Sequence, residues 1–230
     1  MKIRLFTLPN FITLANLFCG ALATVSVLVN GDLTTAFWLI VAAAVCDFFD
    51  GMVARLMGLS GPLGVQLDSL ADDISFGLAP SAVLFALFHR LNGGLLPDWV
   101  GYLCFLFAAF AALRLAKFNI DEEQHTEFRG LPTPAATLFV VGLGLIAEQG
   151  APLFPAWGVL VVVALLSALM VSNIPMFSLK IKGLGWRGNE LRYLFVLASV
   201  VLIVTLGLYA VQAIILLYVA ISLIRRSLKA

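Results

Sequence analysis

Long apolar runs, separated by short polar connections, follow one another along the whole chain. They fall at about 10–29, 33–57, 62–88, 99–119, 134–148, 154–172, 191–207 and 208–224. A bilayer core needs ~20 apolar residues in a helix to span it, so the pattern predicts an all-α bundle of about eight transmembrane helices. Six is the alternative if 134–172 forms a re-entrant element. The fifth run is short, and the last two are divided by little more than Gly207. Lys and Arg favour the cytoplasmic ends of short loops. With the N-terminus inside, all but one of the 14 Lys and Arg residues fall on the inner side, and only Arg90 falls outside. That places both termini in the cytoplasm, with the outer connections short and the longer ones at 120–133 and 173–190 inside.

Composition strengthens this reading. The chain is 62% hydrophobic and 12% charged, with a mean hydropathy of +1.05, against roughly half apolar and about a quarter charged in a soluble domain. One integral membrane domain over 1–230 is expected. The net charge of +1 and the lack of a basic run point away from nucleic acid. Cys19, Cys46 and Cys104 stand in apolar stretches without C-x-x-C spacing and read as packing residues. Lys2 and Arg4 precede an apolar run without a small-residue cleavage site, which suggests a retained first helix. Trp99 and Trp186 read as interfacial anchors.

Four carboxylates interrupt the second and third runs: Asp47, Asp50, Asp68 and Asp72. Acids in membrane helices need partners, and only Arg55 lies close by in sequence. Divalent cations would make up the deficit, and oxygen-only ligands suit Mg²⁺ or Mn²⁺. At 1.5 Å per residue Asp50 lies ~7–8 Å from Arg55, and Asp68 lies ~9–10 Å into the third run, so a helical hairpin brings the two pairs to similar depth. Asp47 and Asp50 are spaced i,i+3, and Asp68 and Asp72 i,i+4, so each pair shares a helix face. Gly51, Ala54 and Gly64 leave room beside them for a ligand. A buried ionic network that only joins helices is the plainer alternative. Asp73 is rotated ~100° off the stripe and is expected to serve as a structural hydrogen-bonding partner.

These residues stand as D-x2-D-G-x2-A-R-x8-G-x3-D-x3-D, and at every fixed position the chain resembles the CDP-alcohol phosphotransferase family. The resemblance implies transfer of a phosphatidyl or similar group from a CDP-linked donor to an alcohol, with release of CMP. It implies two divalent cations on Asp47, Asp50, Asp68 and Asp72, with Asp72 also the general base. Gly51, Ala54, Arg55 and Gly64 would shape the pocket for the cytidine diphosphate. Further stretches are similar to bacterial and archaeal phosphatidylserine synthases: L-P-N-F-I-T-L-A-N-L-F-C-G at 8–20, D-S-L-A-D-D-I-S-F-G-L-A-P at 68–80, R-L-A-K-F-N at 114–119 and F-R-G-L-P-T-P-A-A at 128–136. Within that subgroup the donor is CDP-diacylglycerol and the acceptor L-serine, in an inner membrane, with a homodimer expected. Lys117 is a departure, because arginine is expected there, and lysine lacks the bidentate fork that suits a carboxylate.

Other residues carry two readings each. Asn10, Thr13 and Asn16 share one face of the first run and either contact the nucleotide or bond between helices. Arg114 and Lys117, ending the fourth run, either meet the acceptor or snorkel to the interface. Arg129 is a candidate for lipid phosphate or serine. His125 reads as solvated, and Glu148 has no assigned role. A relative using glycerol 3-phosphate or an inositol phosphate is the nearest alternative. A cation-coupled transporter is the alternative from another class, but no inverted repeat with midplane acids is visible.

Overall fold

The computed structural model describes residues 5–121, 129–151, 154–177, 185 and 189–227. Lys2, Arg4, His125, Lys180, Lys182, Trp186, Arg187 and Lys229 lie outside them, and so do the sequence readings placed on those residues.

Helix α1 (Leu8–Asn30) starts where Thr7 accepts from the Asn10 amide at 3.4 Å, with Pro9 in the first turn. A missing N–H is harmless there. The helix closes at Gly31, whose φ of 68° lets the chain turn back. Asp32 then caps α2 (Leu33–Leu56), its Oδ1 accepting from the Thr35 amide at 2.8 Å. With so tight a connection the two helices pack against each other along their length.

The third run is bent out of regular α geometry. Helix α3 (Pro62–Asp72) passes into a π-helical turn (Asp73–Leu78) and on into α4 (Ala79–Asn92). Pro80 explains part of this. It has no N–H to give the Phe76 carbonyl one turn back, and its ring would crowd that carbonyl. Instead Thr137 Oγ1 donates to Phe76 O at 2.7 Å, which supplies the bond that hydrocarbon cannot.

A 3₁₀ segment (Asp98–Phe105) leads into α5 (Leu106–Ile120), followed by α6 (Thr133–Glu148) and α7 (Ala156–Val171). Helix α8 (Glu190–Leu206) breaks at Gly207, where φ is 51°, and α9 begins at Ala210 and runs to Ser227. The rings of Phe195 and Tyr218 lie 6.1 Å apart, so α8 and α9 fold back as a hairpin. Gln212 fastens this hairpin to α6 by donating to Phe139 O at 3.2 Å, in the gap left by Gly142.

The fold is an all-helical, polytopic membrane bundle. Runs at Leu8–Asn30, Leu33–Leu56, Pro62–Asn92, Asp98–Ile120 and Glu190–Arg225 are each long and apolar enough to cross a bilayer, and the last of these is the hairpin. Helices α6 and α7 are shorter, at 16 residues each, or about 24 Å at 1.5 Å per residue. Phe76, Leu84, Leu87, Phe88, Phe107 and Val140 fill the core. Large apolar side chains such as Trp38, Phe48, Leu113 and Val204 face outward, as they do where lipid is the solvent.

The two ends of the bundle differ. At one end Arg90 donates to Glu148 Oε2 at 2.7 Å and to the Gly31 carbonyl, tying α4, α6 and the α1–α2 turn together. Glu148, unassigned from sequence, therefore has a structural partner. The start of α1, the α2–α3 turn and the end of α5 lie at the other end. There Lys117 donates to Asn173 Oδ1 at 2.6 Å and Asn119 to Ser69 Oγ at 2.7 Å.

Candidate active site

The site is built on the α2–α3 hairpin. Its turn is made by Gly58, at φ 63°, with the Leu59 amide reaching back to Ala54 O at 2.9 Å. Gly61 is extended and Pro62 opens α3. After this turn α2 and α3 each pack against α1, and their acidic side chains reach toward one another across the space between them.

Asp47, Asp50 and Asp68 converge, each offering a carboxylate oxygen within 4.8 Å of the others. Asp50 is buried and the other two are half-buried. Thr13 Oγ1 donates to Asp50 Oδ2 at 2.6 Å, while Asp68 Oδ1 is buried with no hydrogen-bond partner. Three hard oxygen donors, one with an unsatisfied lone pair, fit a divalent cation such as Mg²⁺ or Mn²⁺. Thus this acidic cluster has the donor chemistry for a metal.

Asp72 stands outside that group of three. It is buried, within electrostatic range of Asp47, Asp68 and Asp50, and its Oδ1 accepts from Asn16 Nδ2 at 3.1 Å. Asp73 Oδ1 is buried without a hydrogen-bond partner, against Gly77. That oxygen does not make the structural bond expected of Asp73. Arg55 differs too: among the described residues no ion pair joins it to the carboxylates. It turns instead into the neighbouring cavity.

That cavity, of about 190 Å³, is lined by Asn10, Thr13, Asp50, Gly51, Ala54, Arg55, Gly64 and Asp68, and also by Pro9, Leu59, Ser60, Gly61 and Val65. Of the residues considered for the nucleotide, Asn10, Thr13, Gly51, Ala54, Arg55 and Gly64 meet there, and Asn16 does not. A Cβ added at Gly64 would find nothing within 4 Å, and one at Gly51 would stand 3.4 Å from Arg55 Nη1. Both glycines therefore keep space open. Asn10 and Thr13 line the cavity while also bonding to protein, Asn10 Nδ2 donating to Leu5 O at 2.8 Å.

The cations of α5 are engaged. Arg114 is buried, its Nη1 donating to Thr133 Oγ1 at 2.7 Å and its Nε without a partner. It lies within electrostatic range of Asp72, and so deeper than a snorkelling side chain. Lys117 is held by Asn173. Arg129 lies in a short bridge with Pro175, and the next amide, Gly130 N–H, donates to Ile174 O at 2.9 Å. Gly130 is required by its φ of 76° and by the carbonyls packed against it. Asn173, Thr133 and the 172–177 segment escaped the sequence reading. Their partners are 19 or more residues away, and no local spacing reports such contacts.

Comparison with characterised proteins agrees with the geometry. The chain is 37% identical over 169 residues to the CDP-diacylglycerol–serine O-phosphatidyltransferase of Bacillus subtilis, covering 73% of this chain and 88% of that one. The protein of the same name from Helicobacter pylori (strain 26695) is 35% identical, over 74% of this chain and 71% of its own. That of Mycobacterium leprae is 34% identical over 76% of this chain, and the match spans 59% of its length. Residues 6–179, which carry the carboxylate hairpin, the cavity and α1 to α7, match the CDP-alcohol phosphatidyltransferase pattern, and the chain belongs to that family.

Proposed function

We propose that the protein transfers the phosphatidyl group of CDP-diacylglycerol to the hydroxyl of L-serine, giving phosphatidylserine and CMP. One observation carries the reading. Asp47, Asp50 and Asp68 converge beside a cavity held open by Gly51 and Gly64, in a chain whose relatives bear that name.

Asp47, Asp50 and Asp68, with Asp72 beside them, would hold two divalent cations, Mg²⁺ or Mn²⁺. When bound, such ions neutralise a pyrophosphate and stabilise the departing phosphate. Gly51, Ala54 and Gly64 leave space for the cytidine diphosphate, with Arg55, Asn10 and Thr13 on the cavity wall. An alcohol is a weak nucleophile at neutral pH. Asp72 takes the serine hydroxyl proton as the serine oxygen bonds to the phosphorus that carries diacylglycerol. The bond from that phosphorus to the bridging oxygen breaks, and CMP leaves with the electron pair. Arg114 has an N–H to spare for the serine carboxylate, with Lys117 and Arg129 at the same end.

The diacylglycerol chains lie in the bilayer while the nucleotide stays at its surface. Because Arg55, Arg114, Lys117 and Arg129 gather at this end and Arg90 at the other, the site faces the cytoplasm, both termini are cytoplasmic and the membrane is the inner one. A homodimer is part of the same reading, and cross-linking in native membranes tests it. The decisive assay uses purified protein and labelled CDP-diacylglycerol. CMP release should depend on serine and not on glycerol 3-phosphate or an inositol phosphate. The reverse preference would reassign Arg114, Lys117 and Arg129 to a phosphorylated acceptor.

A further inference from the structure

Asn16 lies one turn beyond Thr13 on α1 and is fully enclosed, at 0% exposure. Its amide nitrogen donates to Asp72 Oδ1 at 3.1 Å, while its amide oxygen is buried and meets no donor among the described residues. The residue is fixed from its backbone as well. Its carbonyl accepts from Ser75 Oγ at 2.9 Å. One turn on, Gly20 admits the Ser75 backbone so closely that a Cβ at Gly20 would stand 2.6 Å from Ser75 Cα. Ser75 belongs to the π-helical turn that follows Asp72. The widened helix and α1 are therefore docked as one rigid contact, and the Asn16 amide is the part of it that touches the carboxylate.

A carboxylate held through one oxygen can no longer turn freely about its terminal bond, so its second oxygen has a defined direction. Meanwhile a buried amide oxygen without a donor is unfavourable until one arrives. We propose that Asn16 is the positioning residue for Asp72, and that its free Oδ1 receives an N–H or O–H of the acceptor alcohol. One amide would thus orient the base and register the nucleophile beside it. This rests on the proposal that Asp72 takes the hydroxyl proton. It gives Asn16 a different task from Asn10 and Thr13, which line the nucleotide cavity while Asn16 does not.

Asn16→Leu and the isosteric Asn16→Asp, each purified as the full chain, test it through CMP release under steady-state conditions. Loss of a partner that orients a site group typically costs 10–100-fold. In both variants kcat should fall by about that factor and the KM for the acceptor should rise. The KM for CDP-diacylglycerol should rise far less than that for the acceptor, since the cavity and the three-carboxylate cluster are intact. A purely structural Asn16 would lower folded yield and move both KM values together. Asn16→Asp keeps the size of the side chain, so it remains informative if Asn16→Leu does not fold. A kcat within twofold of the parent in a folded variant overturns the proposal, as does a matching rise in the KM for CDP-diacylglycerol. If the parent uses glycerol 3-phosphate instead of serine, the serine reading fails. The kcat loss measured with that acceptor then decides the role of Asn16.

Discussion

Gly64 is defined by the absence of anything around its missing side chain. Gly64→Val should therefore fold with little change in melting temperature, because its Cβ finds no neighbouring heavy atom within 4 Å. It would stand in the cavity proposed for the nucleotide, so the KM for CDP-diacylglycerol should rise at least tenfold. A parent-like KM would place the nucleotide elsewhere. Metal dependence is read at the same scale. A chelator should abolish CMP release and Mg²⁺ or Mn²⁺ restore it, and Asp68→Asn should demand far more metal for half-maximal rate. Asp72→Asn should lower kcat by the ~10²–10⁴ of a lost general base, while Asp73→Asn keeps much more activity; equal losses would mean that the wrong carboxylate has been chosen. Much of the carboxylate geometry was legible in the sequence. The i,i+3 and i,i+4 spacings fix which carboxylates share a face, and a hairpin fixes their depth. Helix geometry could not give the partners, however. Thr13 meets Asp50 from 37 residues away and Asn16 meets Asp72 from 56, and Arg55, nearest in sequence, forms no ion pair with an acid among the described residues.

Among the elements, the run from Pro62 to Asn92 departs most from what periodicity predicts. Pro80 can be seen in the sequence, but a proline in a membrane helix is compatible with a kink, a widened turn or a broken span. Which of these forms depends on Thr137, in another helix, giving its hydroxyl to the Phe76 carbonyl. Thr137→Val keeps the shape and removes the donor. It should lower stability by about 1 kcal/mol, the order of a single hydrogen bond between membrane helices, seen as a lower melting temperature in detergent. Pro80→Ala restores an N–H for Phe76 and should weaken that effect when combined with Thr137→Val. Additive losses would show that the threonine does not compensate for the proline. The break at Gly207 was easier to read, because a glycine between two apolar runs marks a turn without help from distant residues.

For the whole molecule, the distribution of cations tests the proposed orientation directly. In a chain with Cys19, Cys46 and Cys104 replaced, a cysteine at Asp98, whose side chain is exposed, should be labelled from outside the cell, and one at Gly185 only after the membrane is opened. Labelling in the opposite pattern would invert the bundle. Charge bias could be counted from the sequence, whereas the clasp of Arg90 on Glu148 and Gly31 could not, since it joins three connections far apart in the chain. That clasp has a consequence for lipid traffic. Between it and the carboxylates the interior is packed with Phe76, Leu84, Leu87 and Phe88, and the cavity that takes in Asp50 and Asp68 opens on the carboxylate side. Among the described residues this packing offers a headgroup no polar path. On the proposed reaction and orientation, newly made lipid stays in the leaflet where its precursor lay, and its appearance in the opposite leaflet awaits a separate flippase.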